Sequence, residues 1–293
     1  MNIAITGATG YIAQNLIVKL ESVKHTIVKI ARKELYNPVE LLKIMPEIDT
    51  VIHLAGSPIL RKWTENAREE ILNSRITTTA NLVEVINQLP AYERPKTFIS
   101  ASAVGIYSPG FHTEKSTEFA DDFTGTVAKQ WEAASEPLNH SVRRVIFRIG
   151  VVIGKESATI QKMLPVFKSG LGGKIASGNQ PFPFVHIDDV VNSLFWACQN
   201  KEVSGIFNLA APQNIDNNHF TKALAKKLRR PAIFSVPESA LKLLYGEAAS
   251  LITSAPQAFP ERLLEYGYRF KYPDIDSCLD EIIASANSGT GRK

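Results

Sequence analysis

The chain begins Met1-Asn-Ile-Ala-Ile-Thr-Gly-Ala-Thr-Gly-Tyr-Ile-Ala13, and the reading of this stretch decides the rest. Ile3, Ala4 and Ile5 form a short apolar run that stops at Gly7. An apolar rhythm of helical spacing, Ile12, Leu16, Ile17 and Leu20, starts just past Gly10. A buried strand therefore feeds a helix through a glycine turn. Gly7 lets the chain leave the strand sharply. Gly10 has no Cβ, so its backbone can approach a pyrophosphate, which the free N–H groups and positive dipole end of the helix would hold. Ala13 stands where a third glycine is usual, and a methyl there still allows close helix-to-strand packing. The stretch reads as a dinucleotide cradle with Gly7, Thr9, Gly10, Tyr11 and Ile12 against the cofactor; the alternative is a plain strand-to-helix turn.

The second strand, Thr26 to Ala31, ends in Arg32 and Lys33. A fold that prefers NAD usually puts a carboxylate here to accept from the ribose 2′-hydroxyl, whereas a cation suits a 2′-phosphate. Arg32 and Lys33 thus favour NADP(H), with NAD(H) as the alternative; their other reading is a solvated loop.

Strands near 2–6, 26–31, 50–54, 96–101 and 143–149 alternate with helical patterns, which argues for a doubly wound parallel α/β sheet of the Rossmann type. Ligands of such sheets sit beyond the carboxyl ends of the strands. After the third strand come Leu54, Ala55 and Gly56, small enough in backbone profile to face a cofactor. After the fourth comes Ser100-Ala-Ser-Ala-Val-Gly-Ile-Tyr107, where Ser100 joins the cofactor-facing set. From about 155 the rhythm becomes loop-rich, then a helix at about 188–199 and a strand at about 205–210 return to the sheet. The expected organisation is a dinucleotide domain over 1–154 and 187–210, and a smaller, mostly helical substrate or lid domain over 155–186 and 211–286. The tail 287–293 reads as disordered.

The totals exclude other classes. The 293 residues are 44% hydrophobic and 21% charged, ordinary for a soluble domain, with a net charge of +4 and a pI of about 8.9. The basic run Lys226-Lys-Leu-Arg-Arg230 looks like a helix end, so no nucleic acid is expected. Two distant cysteines, Cys198 and Cys278, point to a reducing, cytoplasmic setting. The six histidines lack ligand spacing, so no metal is expected, and no apolar run is long enough for a membrane span.

Thr6-Gly-Ala-Thr-Gly-Tyr-Ile-Ala13, His53-Leu-Ala-Gly56, Ser100-Ala-Ser-Ala103, Arg148 and Phe184-Val-His-Ile-Asp-Asp-Val190 together resemble the extended short-chain dehydrogenase/reductase superfamily, its NAD(P)-dependent epimerase and dehydratase branch. Asn73-Ser-Arg75, Trp131-Glu132, Leu171-Gly-Gly173 and Gly267-Tyr-Arg-Phe270 are similar to an atypical subgroup of nucleoside-diphosphate-sugar epimerases that includes the bacterial YfcH-like proteins. The resemblance implies chemistry by a serine after the fourth strand, a tyrosine and a lysine four residues on. Ser102 matches the serine. Counting back from Glu132, the tyrosine and lysine positions hold Thr124 and Ala128, and Lys129 is one residue off register, about 100° around a helix. Tyr107 is the candidate replacement acid beside Ser102. His186 and Asp188 face the substrate cleft by analogy, and Arg75, Arg148 and Arg61 are cations suited to a substrate phosphate.

Two functions are open on these residues. One is an NADP(H)-dependent oxidoreductase or epimerase acting on a small polar, nucleotide-linked substrate. The other is a catalytically inactive NADP(H)-binding module that senses redox state or holds a partner. The resemblance also implies a homodimer through helices at about 64–88 and 124–139.

Overall fold

The computed structural model describes residues 1–288. The chain opens β1 (Asn2–Thr6), α1 (Tyr11–Ser22), β2 (Thr26–Ile30), α2 (Arg32–Leu35), α3 (Pro38–Ile44) and β3 (Thr50–His53). It continues α4 (Glu65–Asn73), α5 (Ile76–Gln88), β4 (Thr97–Ala103), β5 (Phe111–His112), α6 (Phe123–Ala133) and β6 (Arg143–Ile149). Ile3, Ala4 and Ile5 are all fully buried because a parallel strand is covered on both faces, which is why the run does not alternate with polar residues. α1 buries Ala13, Leu16, Ile17 and Leu20, one stripe of a 3.6-residue period. Asn37 starts α3 by accepting from the N–H groups of Val39 and Glu40, and Pro38 takes the first helical position, where a missing N–H costs nothing.

Next come β7 (Val151–Ile153), α7 (Ala158–Lys168), β8 (Gly173–Ile175), β9 (Phe184–His186), α8 (Ile187–Gln199) and β10 (Gly205–Leu209). The central sheet has six strands, ordered β10-β6-β4-β3-β1-β2 and parallel throughout. The strand at 205–210 does return to it, beside β6. Chain order reverses between β1 and β3, so a crevice opens past the carboxyl ends of these two strands. One face is packed by α1 and α8 over Ile3, Ile5, Leu16, Leu194 and Phe207; the other by α3 and α5 over Ala4, Val51, Leu41, Leu82 and Phe98.

The helices expected at 64–88 and 124–139 are shorter. The first is broken into α4 and α5 at Ser74 and Arg75, and α6 stops at Ala133. At the break the Ser74 hydroxyl and the Arg75 guanidinium both donate to the Ile71 carbonyl, capping α4 with side chains, and both also hold the cleft loop at Ser57.

The remaining elements are α9 (Asn217–Leu228), β11 (Phe234–Val236), α10 (Glu238–Tyr245), α11 (Ser250–Thr253), β12 (Gln257–Ala258), α12 (Glu261–Glu265) and α13 (Ile275–Ser288). Ile153, Ile160, Phe167, Phe184, Phe220, Leu224, Leu279 and Ile282 form a hydrophobic cluster of their own, separate from the sheet's two layers. Residues 287 and 288, read from sequence as the start of a disordered tail, close α13; the rest of that stretch, 289–293, lies outside the described residues. Among the described residues no helix is long and apolar enough to cross a membrane.

Candidate dinucleotide cleft

A cleft of about 470 Å³ lies at the β1/β3 crossing, lined by Gly7, Ala8 and Thr9 after β1, by Lys29 to Arg32 at the end of β2 and just past it, by Ala55 to Pro58 after β3, and by Leu35, Tyr36, Glu70, Ser74 and Thr78. Gly7 has φ +66°, and a Cβ there would sit 2.7 Å from the Leu54 carbonyl oxygen, so the turn excludes any side chain. Gly10 is the N-cap of α1; no side chain caps this helix end and its first turn has no acidic residue, so its N–H groups remain open to an anion. Both features fit a dinucleotide pyrophosphate. Tyr11 and Ile12 stand at this end of the helix, but their side chains do not line the cleft. Tyr11 instead packs on Gly154, and burial pushes its phenol up to about 12.

The loop after β3 is held by one hydroxyl. Thr6 Oγ1 accepts from the Leu54 and Ala55 N–H groups, each at 3.1 Å, and lies 2.8 Å from His53 Nδ1. With its acceptor capacity used, Thr6 donates to Nδ1, so the neutral ring carries its proton on Nε2, towards Thr78 Oγ1 at 3.5 Å. Burial, then the charge of Arg75, pushes His53 down to about 3 and keeps it neutral. The loop bearing Leu54, Ala55 and Gly56 is thereby pinned to β1. Ala55 and Gly56 line the cleft, whereas the Leu54 side chain turns back onto the sheet core.

At the cleft mouth Arg32 Nη2 reaches Glu70 Oε1 at 3.1 Å, and Arg61 Nη2 reaches Glu70 Oε2 at 2.8 Å and Ser57 Oγ at 3.0 Å. Hydrogen bonds from Arg61 and then Arg32 hold the Glu70 carboxyl down to about 2. Arg32 thus faces the cleft. Lys33 does not line it: α2 begins at Arg32, and one further helical residue rotates Lys33 away. Glu70 and Ser57 carry no sequence signal for this place, and Arg61 is joined to these two cleft residues without lining the cleft itself.

The expected acid–base residues are differently employed. Glu132 takes Arg148 bidentately, Nε to Oε1 at 2.8 Å and Nη2 to Oε2 at 2.7 Å, with the arginine side chain only 4% exposed. Arg148 is therefore a buried structural cation, unavailable to a substrate phosphate. Ser102 Oγ lies 2.6 Å from Glu132 Oε1; a carboxylate so paired only accepts, so the serine proton is committed to it. In this state Ser102 can accept from a ligand, and donating to a substrate carbonyl would mean giving up its bond to Glu132. Tyr107 is engaged elsewhere: its buried oxygen accepts from Arg148 at 2.7 Å and donates to Asn208 Oδ1 at 2.9 Å. Burial pushes this phenol up against the pull of Arg148, the wrong direction for an acid at neutral pH. Thr124 donates to Asp122 at 2.8 Å, Ala128 is packed in a small core with Tyr107, and Lys129 points outward to Asp121 at 3.6 Å.

Ser100 is buried within β4, not at the cleft. The Arg75 guanidinium lies beneath Gly56, donates to the Ser57 and Ile71 carbonyls at 3.0 and 3.1 Å and stacks over Trp131, so it supports the cleft floor. Burial, then Arg61, brings it down to about 10. His186 is buried at the start of α8, with Nε2 3.0 Å from Glu281, and Asp188 pairs with Lys271 at 2.8 Å. These two tie α8 to the C-terminal segment and do not line the cleft.

Comparison with known proteins agrees with this geometry. The family model of the NAD dependent epimerase/dehydratase family matches residues 3–210, and a domain of unknown function, DUF1731, matches residues 236–282. The chain is 34% identical to the epimerase family protein YfhF of Bacillus subtilis, covering 97% of this chain and 98% of YfhF. It is 33% identical to the chloroplastic SDR39U1 homolog of Arabidopsis thaliana, covering 97% and 87%. The crystal structure of human epimerase family protein SDR39U1 (isoform 2) with NADPH superposes with a TM-score of 0.90 at 30% identity, covering 97% of this chain and 99% of that one. A nucleoside-diphosphate sugar epimerase of Corynebacterium glutamicum superposes with a TM-score of 0.77 at 27% identity, covering 97% of this chain and 58% of that one. With a matched family model over most of its length and these relatives across nearly all of it, the chain belongs to the NAD-dependent epimerase/dehydratase family.

Proposed function

We propose that the protein holds NADP(H) in the β1/β3 cleft and acts as a cofactor-bound module without the tyrosine–lysine chemistry of ordinary epimerases. The observation that carries the reading is Arg32 at the cleft mouth, where the ribose 2′ position of a dinucleotide laid across Gly7 and Gly10 would fall, with Arg61 joined to it through Glu70. The likeness to the human protein crystallised with NADPH supports the same cofactor. Against turnover stand the Ser102–Glu132 bond that a donating serine would have to break, the buried Tyr107, and Thr124 and Ala128 at the tyrosine and lysine positions.

A second reading, an oxidoreductase or epimerase acting on a small nucleotide-linked substrate, is favoured by the likeness to the Corynebacterium nucleoside-diphosphate sugar epimerase. Incubation with NADPH and a panel of carbonyl compounds and nucleotide sugars separates the two. The module reading expects no cofactor oxidation and no epimer; steady turnover abolished by Ser102→Ala would replace it with the enzyme.

A further inference from the structure

The cofactor reading leaves one group at the cleft mouth unexplained, and the role inferred for that group rests on the same reading. After β2 the chain offers Arg32 in place of the carboxylate that serves an NAD ribose. A carboxylate nevertheless stands at the cleft mouth. Glu70 arrives from α4, 38 residues further along the chain, and lines the same cleft as Arg32 and Ser57. Its two oxygens occupy both guanidiniums, the contacts a 2′-phosphate would need.

The three side chains differ in how firmly they are held. Arg61 is anchored: besides Glu70, it donates to Ser57 Oγ at 3.0 Å and to the Ala67 carbonyl at 3.3 Å. Arg32 is 67% exposed and is held by side chains alone, Glu70 first and Tyr36 beside it. Glu70 is 37% exposed on a short helix, and Arg61, Arg32 and Ser57 all bond its carboxylate, so turning it outward exchanges these three bonds for water. A 2′-phosphate carries about −1.5 to −2 charges near neutral pH and would repel a carboxylate beside it. A ribose 2′-hydroxyl is a neutral donor that an ionised carboxylate accepts.

We infer that Glu70 is a cofactor selector with two positions. With NAD(H) it stays between Arg32 and Arg61 and accepts from the ribose 2′-hydroxyl. With NADP(H) the 2′-phosphate takes its place on the arginines and Glu70 turns outward. The carboxylate missing after β2 is thus supplied from α4, so one cleft takes both dinucleotides and Glu70 lowers the affinity for the phosphorylated one.

The test is titration of the full chain with NADPH and with NADH, at one fixed ionic strength because these charges are partly exposed. The wild type, Glu70→Gln, Glu70→Ala and Arg61→Ala are compared. Both Glu70 variants are expected to bind NADPH about tenfold more tightly and NADH several-fold more weakly, while Arg61→Ala weakens NADPH about tenfold and NADH little. An unmoved NADPH-to-NADH ratio in the Glu70 variants overturns this inference alone. A wild type that binds neither dinucleotide overturns it together with the cofactor reading.

Discussion

Ser102 and Thr6 are both hydroxyls at the carboxyl end of a parallel strand, and proton counting separates them. Thr6 spends its acceptor capacity on two backbone N–H groups and its proton on His53, which makes it a fastener of the cleft. Ser102 spends its proton on Glu132 and keeps only lone pairs for a ligand. Glu132 is the pivot of that second cluster. Replacing it by Gln leaves Arg148 charged and buried, at an expected cost of about 3–5 kcal/mol in urea-measured stability; a loss below about 1 kcal/mol would mean the pair is not the buried anchor described. His53 sets a pH dependence. Its folded value, about 3, lies below its ordinary 6.5, so between these the unfolded chain binds one proton more. The contribution is complete above about pH 6.5 and is lost as pH falls towards 3, with a slope of up to about 1.4 kcal/mol per pH unit. Urea midpoints at pH 7 and pH 5 check this, and His53→Gln should show the shallower fall. None of these bonds is legible in sequence: the serine stands where the resemblance puts it, but Glu132 and Arg148 meet it only through the register of β4 with β6 and the facing of α6.

Among elements, β1, its glycine turn and α1 were readable because each obeys a local rule: a strand buried on both faces, a positive-φ turn, a 3.6-residue stripe. Arg32 was readable because it lies two residues past the end of β2. The break between α4 and α5 was not, since Ser74 and Arg75 are acceptable helix residues whose side chains bond back to Ile71 only once the cleft loop is folded over them. Glu70 was hidden for the same reason: which face α4 turns to β2 is a tertiary fact. The turn itself gives a test. Gly7→Ala combines a disfavoured φ with a Cβ 2.7 Å from the Leu54 oxygen, and should cost about 1–3 kcal/mol while lowering dinucleotide affinity. Thermal unfolding and cofactor titration of this variant check both; a variant that matches the wild type in both would show that the turn relaxes without consequence.

For the molecule as a whole, α8 is one of the bonds between the sheet and the C-terminal segment, beside those that Arg262 and Asn208 make at β10. Buried Asp189 accepts from the Lys271 and Tyr272 N–H groups at 2.6 and 2.9 Å, and its carbonyl accepts from the Tyr268 phenol at 3.0 Å. Asp189→Asn puts an amide donor where one N–H needs an acceptor. It should lower stability by about 1–3 kcal/mol and speed hydrogen exchange around 268–275; unchanged exchange there would show that other contacts hold the segment. Arg68 pairs with Glu247 on the opposite side, sandwiched against Trp63 and Phe123, but the glutamate is largely exposed and such a pair contributes about 0–1 kcal/mol. What the β1/β3 cleft holds decides between the two functional readings. The direct measurement is titration of the protein with NADPH, following cofactor fluorescence, beside an Arg32→Asp variant. Saturable NADPH binding is predicted, weakened at least about tenfold in the variant; if NADPH does not bind at about millimolar concentration, the glycine turn is only structural and the cofactor reading is wrong.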